Sequence, residues 1–142
     1  VPLLKGSTLR ALLSKHHEGN FVATVLTAVA ENPTGYGRVV RTPEDYFDQV
    51  VEHKDATEDQ LSINEINSGI YVFDSQKLFS ELSKVGNSNA QGEYYLPDVL
   101  PLLQKEGAKV GVEICETFSE IQGINTVDEL KTVEAKILVS QE

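Results

Sequence analysis

Cysteine, methionine and tryptophan are scarce or absent in this sequence, and so are long hydrophobic runs. The single cysteine, Cys115, excludes an internal disulfide and is typical of a protein from a reducing compartment. No apolar run approaches the ~20 residues that span a bilayer, and we expect no signal peptide. We therefore expect a cytoplasmic protein without membrane insertion. Because the chain starts at Val1 without an initiator methionine, we also expect it to be part of a longer protein.

Basic residues are outnumbered in this chain. The chain has twelve lysines and arginines but twenty-two aspartates and glutamates, which gives a net charge of −10. Such a chain repels nucleic acid and anionic membranes, and it has few basic side chains available to bind a nucleoside triphosphate. What is present is 142 residues with 40% hydrophobic content, which suits one domain with a sizeable core.

Helix and strand patterns alternate along the whole chain. Residues 21–29 are apolar and rich in β-branched side chains, as in a strand covered on both faces, and residues 65–74 are the clearest later strand. Alternation of this kind predicts an α/β architecture, in which a mixed, partly parallel sheet is flanked by helices. The pattern leaves the order of the strands undetermined.

Helix starts and buried helix faces can also be predicted from local patterns. The expected N-terminal caps are Ser7, Asp74, the pair Asp55/Glu58 and the pair Thr126/Glu129. The apolar stripes expected to face the core are Leu78, Phe79, Leu82 and Val85 in one helix, and Leu130, Val133, Ile137 and Leu138 in another.

Five stretches are richer in polar residues or glycine than their place in an α/β fold requires. They are NPTGYGR (32–38), VEHKDAT (51–57), EINSGIY (65–71), NAQGEYY (89–95) and QGINT (122–126). Gly37 permits close approach of the backbone to a ligand, although a plain bend between two strands is the alternative. Glu52 ends a strand, which is where ligand-binding groups of α/β proteins tend to lie.

Two asparagines in these stretches have side chains suited to ligands. Asn67 interrupts an apolar strand and either braces a neighbouring loop or offers its amide to a ligand hydroxyl. Asn125 carries an oxygen that suits Mg²⁺, provided that carboxylates and phosphates carry the charge. The sequence has no cluster of cysteine and histidine ligands and no nucleophile elbow. Polar groups without a nucleophile indicate a hydroxyl-rich, sugar-like ligand and a reaction that depends on positioning, as nucleotidyl transfer does.

In this order and at this spacing, NPTGYGR, VEHKDAT, EINSGIY, NAQGEYY and GIN resemble the uridyltransferase domain of the bacterial bifunctional N-acetylglucosamine-1-phosphate uridyltransferase/glucosamine-1-phosphate acetyltransferase family. The resemblance covers essentially the whole chain. It implies a Rossmann-like, glycosyltransferase-A-like nucleotidyltransferase domain. It also implies a cytoplasmic enzyme of peptidoglycan precursor supply, which joins UTP and N-acetylglucosamine 1-phosphate into UDP-N-acetylglucosamine and pyrophosphate with Mg²⁺ as cofactor.

The resemblance also implies roles for four residues. Gly37 and Glu52 are expected to contact the sugar, and Asn67 is expected to hold the sugar or its phosphate. Asn125 is expected to bind Mg²⁺ beside the sugar phosphate. The NAQGEYY stretch resembles one wall of the sugar pocket.

Some features of the family are missing or altered. Pro97 stands where the family usually has a threonine that contacts the sugar, and Thr126 stands where it has Asp or Asn. Residues 1–142 are interpreted as the sugar-binding portion of the domain. The UTP-binding loop and a second metal ligand, an aspartate, are expected upstream, and the β-helical acetyltransferase domain, a possible site of homo-oligomerisation, is expected downstream. No catalytic residue is assigned within the chain.

Two alternatives remain open from the sequence. One is a related nucleotidyltransferase that acts on another sugar 1-phosphate or uses another base. The other is a non-catalytic module that binds sugar nucleotides or serves in assembly. The sequence upstream of residue 1 would separate them, because a glycine-rich basic loop there would support the enzyme.

Overall fold

The structure, a computed structural model, describes residues 1–139, so the last three residues of the predicted domain range 1–142 lie outside the described part. The helices are α1 Gly6–Glu18, α2 Glu58–Leu61, α3 Ser75–Leu82, α4 Val99–Lys105, α5 Phe118–Ile121 and α6 Val127–Val139. The strands are β1 Ala23–Val29, β2 Arg38–Arg41, β3 Phe47–Val51, β4 Glu65–Phe73 and β5 Val110–Cys115. A 3₁₀ turn, Leu96–Asp98, precedes α4. None of the helices in this part of the chain combines the length and apolarity needed to cross a membrane.

The strands form one mixed sheet in the order β3-β2-β4-β1-β5. β1 and β5 run parallel, whereas β4 is antiparallel to β1 and β2, and β3 is antiparallel to β2. The prediction of a mixed, partly parallel sheet is therefore confirmed, and the strand order that the sequence left undetermined is now given.

Helices cover both faces of the sheet. On one face, Val25 of β1 packs in a core that includes Leu103 of α4. On the opposite face, Leu26 packs with Leu12 of α1 and Ile121 of α5. Successive residues of a strand point to opposite faces, so a strand that is apolar at consecutive positions is buried between two helical layers. The prediction of a doubly covered strand at residues 21–29 is thus confirmed for β1.

Two of the predicted caps are confirmed. The Asp74 carboxylate accepts a hydrogen bond from the Lys77 backbone N–H at 2.9 Å, which caps α3. The Thr126 hydroxyl accepts from the Glu129 N–H at 3.2 Å, and the Glu129 carboxylate accepts from the Thr126 N–H at 2.9 Å. This reciprocal pair satisfies two backbone donors that the start of α6 would otherwise leave free.

The other two predicted caps are wrong. Ser7 lies inside α1, which begins at Gly6 after Lys5 and has no side-chain cap. The capping box of α2 is formed by Thr57 and Gln60 rather than by Asp55 and Glu58. The Asp55 carboxylate instead accepts a hydrogen bond from the distant Ala90 N–H.

The predicted apolar stripes are only partly buried. Leu78 of α3 and Val85, three residues beyond its end, pack against the core. Phe79 is 70% exposed because it lies one residue, about 100° around a helix, from Leu78. Leu82 is also exposed. In α6, Val133 is buried, whereas Leu130 and Leu138 are exposed. The described part of the chain therefore covers α6 mainly near Val133.

Phe21 fixes the packing at the start of β1. Its ring lies so close over Gly19 and Gly111 that a Cβ atom on either glycine would overlap it. Gly19 follows the end of α1, and Gly111 lies in β5. One aromatic ring therefore sets the spacing between a helix end and an edge strand.

Candidate functional site

Gly37 and Glu52 are brought together by the β2–β3 hairpin. Gly37 directly precedes β2 and Glu52 directly follows β3, and Arg38 pairs with Val51 in the ladder between them. A Cβ atom on Gly37 would lie 3.2 Å from Glu52 Oε1 and 3.0 Å from Val50 Cγ1. Glycine is therefore the residue that lets the Glu52 carboxylate lie against the backbone.

Asn67 joins this pair through the backbone. Its N–H donates to the Gly37 carbonyl at 2.9 Å, which ties β4 to the start of β2. Gly69, with a φ of 79°, lies where the register between β4 and β1 shifts, so β4 bulges directly after Asn67. Three of the four predicted site residues thus lie next to one another in the fold.

The Asn67 side chain is largely held by its own strand. Oδ1 accepts from the Gly69 N–H at 3.1 Å, and Nδ2 lies 2.8 Å from the Tyr71 hydroxyl. Among the described residues this leaves one Nδ2 hydrogen without a protein acceptor. The bracing role is therefore observed, while the ligand-binding role of Asn67 stays a prediction.

Burial and neighbouring charges shift the pKa values of two side chains at the site, Glu52 and Tyr71. Burial raises the pKa of Glu52, and the negative charges of Asp98 and Asp55 raise it further. Burial also raises the pKa of Tyr71 to about 12, although the hydrogen bond with Asn67 opposes the change. Tyr71 consequently stays protonated at neutral pH and keeps its hydrogen bond to the asparagine.

The NAQGEYY stretch is a turn that its first residue holds together. Asn89 Oδ1 accepts from the N–H groups of Gln91 and Glu93, both at 3.2 Å, and Asn89 Nδ2 donates to the Glu93 carbonyl at 2.6 Å. One amide side chain thus satisfies three backbone groups of an exposed loop.

This turn is attached to the segment that carries Glu52. The Ala90 N–H donates to Asp55 Oδ1 at 2.8 Å, and Lys54 Nζ donates to Gln91 Oε1 at 3.2 Å. Tyr94 and Tyr95 line a shallow, mainly apolar cleft of about 280 Å³ beside α3. The turn therefore lies beside the Glu52 segment, and its role as a wall of a sugar pocket stays a prediction.

Asn125 lies on a different loop from the other predicted residues. It is exposed in the loop between α5 and α6, and its backbone N–H donates to Glu129 Oε2 at 2.6 Å. Within residues 1–139, no hydrogen bond links its side chain to Gly37, Glu52 or Asn67. The same part of the chain has no cluster of three or more His, Cys, Asp or Glu residues that could hold a metal ion. A single neutral amide oxygen does not make a Mg²⁺ site by itself.

The sequence analysis missed three residues of this region. Tyr71 follows Asn67 by four positions on the same strand, so strand periodicity could have placed the two on one face. Asp98 acts on Glu52 from the end of a 3₁₀ turn, for which no local signal exists. Arg38 is 2% exposed, and an arginine directly before two valines of an apolar strand was a signal that could have been used.

One large cleft among the described residues lies away from the predicted site residues. A cleft of about 770 Å³ is lined by residues that include Lys15, Phe21, Arg41, Gln104 and Lys109, and by none of the predicted site residues. Around Gly37 the protein presents the Glu52 carboxylate and the backbone N–H of Asn67. Such groups exchange hydrogen bonds with hydroxyls, which agrees with a polar, sugar-like ligand.

Both the fold and the sequence are similar to those of known proteins. The structure of a Bacillus anthracis protein described as a glucose-1-phosphate thymidylyltransferase, in complex with sucrose, superposes with a TM-score of 0.57. The two sequences are 20% identical, and the match covers 76% of this chain and 41% of that one, so it supports the fold alone.

Curated relatives are much closer in sequence. Proteins named bifunctional protein GlmU from Bacillus mycoides (strain KBAB4), Bacillus cereus (strain G9842) and Bacillus thuringiensis (strain Al Hakam) are each 49% identical over 139 residues. The match covers 98% of this chain and 30% of each relative, so this chain spans less than a third of their length. The resemblance carried by the five motifs is confirmed. The family model described as nucleotidyl transferase matches residues 3–118, and the chain belongs to the nucleotidyl transferase family.

Proposed function

We propose that this chain forms the sugar-phosphate-binding portion of an enzyme that transfers the uridylyl group of UTP to N-acetylglucosamine 1-phosphate. The products would be UDP-N-acetylglucosamine and pyrophosphate. The proposal is supported by 49% identity to proteins named bifunctional protein GlmU, together with the motifs described above. A cytoplasmic role in peptidoglycan precursor supply is part of the same proposal.

The observation that carries the proposal is the contact between Gly37, Glu52 and Asn67. A carboxylate lies against a glycine backbone, and the carbonyl of that glycine accepts from the asparagine N–H. Glu52 offers acceptors for sugar hydroxyls, and the remaining Nδ2 hydrogen of Asn67 offers a donor. The group has no nucleophile, which suits a reaction in which the substrate supplies the attacking oxygen.

In this reaction the phosphate oxygen of the sugar phosphate attacks the α-phosphorus of UTP. The new P–O bond forms as the bond between the α-phosphorus and its bridging oxygen breaks, and pyrophosphate leaves. The chain's own contribution would be to hold the sugar phosphate in line for the attack. Residues that bind the triphosphate are proposed to come from parts of the enzyme outside these 142 residues.

We also propose Mg²⁺ as the cofactor, with Asn125 as one of its ligands. The metal would neutralise phosphate charge, and anionic oxygens from the substrates and from elsewhere in the enzyme would complete its coordination. In the complete enzyme, Asn125→Ala should raise the Mg²⁺ concentration needed for half-maximal activity and leave the melting temperature nearly unchanged. An unaltered Mg²⁺ dependence with a large drop in melting temperature would show that Asn125 is a structural loop residue.

Kinetics of two variants test the sugar-site assignment. In the complete enzyme, Glu52→Ala and Asn67→Ala should each weaken sugar-phosphate binding by roughly 1–3 kcal/mol, because each removes hydrogen bonds to the ligand. The KM for UTP should stay nearly constant. Glu58→Ala, an exposed carboxylate in α2, is a matched control that should leave both KM values unchanged. Wild-type values for both substrates in the two site variants would overturn the assignment.

A further inference from the structure

Arg38 is a buried cation with no carboxylate partner among the described residues. Its side chain is among the largest that are fully buried, at 2% exposure. The ion pairs of residues 1–139 are Lys5–Glu120, Arg41–Glu65 and Lys84–Glu81, and none of them involves Arg38. Within this part of the chain its Nε atom is buried without a hydrogen-bond partner, and burial lowers the pKa of the guanidinium. A buried charge in this state opposes stability, so its presence calls for another explanation.

The bound end of Arg38 reaches back to the preceding turn. Nη1 donates to the Pro33 carbonyl at 2.7 Å and also to the Tyr36 carbonyl. The Tyr36 N–H donates to the same Pro33 carbonyl at 3.1 Å, which closes the turn. Gly35 takes a left-handed φ of 83° within it. One guanidinium nitrogen therefore clamps both ends of a turn that contains a flexible glycine.

This turn leads directly into the candidate site. Gly37 follows Tyr36, its carbonyl accepts from the Asn67 N–H at 2.9 Å, and its Cα faces the Glu52 carboxylate. A shift of the Tyr36 carbonyl would rotate the peptide that joins Tyr36 to Gly37. The position of the Gly37 backbone relative to Glu52 and Asn67 thus depends on the clamp.

We propose that Arg38 is a positioning residue, whose buried guanidinium holds the 33–36 turn and thereby fixes the Gly37 backbone against Glu52 and Asn67 for sugar-phosphate binding. The inference deepens the proposed function and rests on it. A purely stabilising role does not account for the arrangement, because the Pro33 carbonyl already has a donor in the Tyr36 N–H. Replacing the buried charge by an apolar side chain of similar length would also relieve its desolvation.

The test compares Arg38→Met with Arg38→Lys, and uses Arg41→Met as a matched control. Arg41 lies on the same strand and binds Glu65 instead of the turn. Hydrogen exchange on the complete enzyme measures the Asn67 N–H, which reports on its bond to Gly37. Steady-state kinetics of the complete enzyme give the KM values for N-acetylglucosamine 1-phosphate and UTP separately.

For Arg38→Met we expect Asn67 exchange to accelerate about tenfold and the KM for the sugar phosphate to rise about tenfold, as for the loss of one charge-assisted hydrogen bond. The KM for UTP should stay within about twofold, and the melting temperature should shift by less than about 5 °C. Arg38→Lys keeps one ammonium donor within reach of the turn and should restore part of both losses. Arg41→Met should change neither the exchange nor the KM.

Unchanged Asn67 exchange in Arg38→Met would overturn the proposal. So would an equal rise in both KM values together with a large drop in melting temperature, because that pattern belongs to a purely structural residue. If the wild-type enzyme fails to turn over this substrate pair while Arg38→Met still accelerates Asn67 exchange, the proposed function fails and the clamp on Gly37 stands. If the wild-type enzyme is active but Asn67 exchange stays slow in the variant, the clamp is refuted and the proposed function stands.

Discussion

The pKa values of two carboxylates in this chain, Glu52 and Glu120, are shifted in opposite directions by their surroundings. At Glu52, burial raises the pKa, and two neighbouring aspartates add to the effect. At Glu120, burial also opposes ionisation, but the hydrogen bonds from the Thr8 hydroxyl and the Lys5 N–H, helped by the Lys5 ammonium, outweigh it and lower the pKa. The first carboxylate is therefore retained at a cost to stability, whereas the second supports the fold.

Glu52→Gln should stabilise the protein at neutral pH. Since the folded-state pKa of Glu52 lies above the ordinary 4.5, its contribution to the free energy of unfolding is lost as pH rises through the raised pKa. Glutamine does not titrate, so the variant avoids that loss. We expect a higher melting temperature than wild type at about pH 7 and a smaller difference at about pH 4, measured by thermal melts at both values.

A variant that melts below wild type at neutral pH would contradict this expectation. It would mean that the ionised carboxylate has a stabilising partner in the folded chain. The gain in stability should come with weaker sugar-phosphate binding, as often happens when a destabilising group at a functional site is removed.

At the scale of elements, the sequence predicted what depends on neighbouring residues and missed what depends on distant ones. Asp74 caps α3 because its donor, the Lys77 N–H, is three residues away. Asp55 was predicted as a cap, but its carboxylate accepts from Ala90, far along the chain. At the site, Gly37, Glu52 and Asn67 could be predicted from their motifs, whereas the clamp by Arg38 and the charge of Asp98 depend on packing.

The start of α1 shows the same competition and yields a prediction. Glu120, in α5, accepts from the Lys5 N–H at 3.3 Å and from the Thr8 hydroxyl at 2.5 Å, so it ties the start of α1 to α5, although α1 has no side-chain cap. Glu120→Gln should lower the free energy of unfolding by roughly 1–3 kcal/mol at neutral pH. Because the folded-state pKa is depressed, this stabilisation is present above the ordinary 4.5 and is lost as pH falls through the folded pKa.

Chemical denaturation at about pH 7 and about pH 3 measures the Glu120 effect, which should be large at the first pH and small at the second. Glu116→Gln, an exposed carboxylate on the neighbouring segment, should be nearly neutral at both. An equal loss at the two pH values would mean that the shape of the side chain matters rather than its charge.

Over the whole molecule, charge argues against binding of a nucleoside triphosphate by this chain alone. The net charge is −10, and Glu52, Asp55 and Asp98 place three carboxylates around the candidate site. Lys54, a cation attached to this region, already donates to Gln91. A triphosphate approaching these carboxylates would be repelled unless other parts of the enzyme supplied positive charge.

We therefore predict that the purified 142-residue chain releases no pyrophosphate from UTP and N-acetylglucosamine 1-phosphate. A pyrophosphate assay with and without the chain, at millimolar Mg²⁺, measures this. Release above the buffer control would show that the chain holds a complete active site and would refute the proposal that it is one portion of the enzyme.

The Phe21 ring over Gly19 and Gly111 makes the order of mutations matter. With Phe21 in place, Gly111→Ala drives a methyl group into the ring and should be strongly destabilising. Once Phe21 is reduced to alanine, which lacks the ring atoms, the methyl group at position 111 enters vacated space and fills part of a cavity that would otherwise weaken the core. The effect of a substitution at Gly19 or Gly111 thus depends on the residue at position 21, so descendants of this sequence should replace the aromatic residue before they replace either glycine.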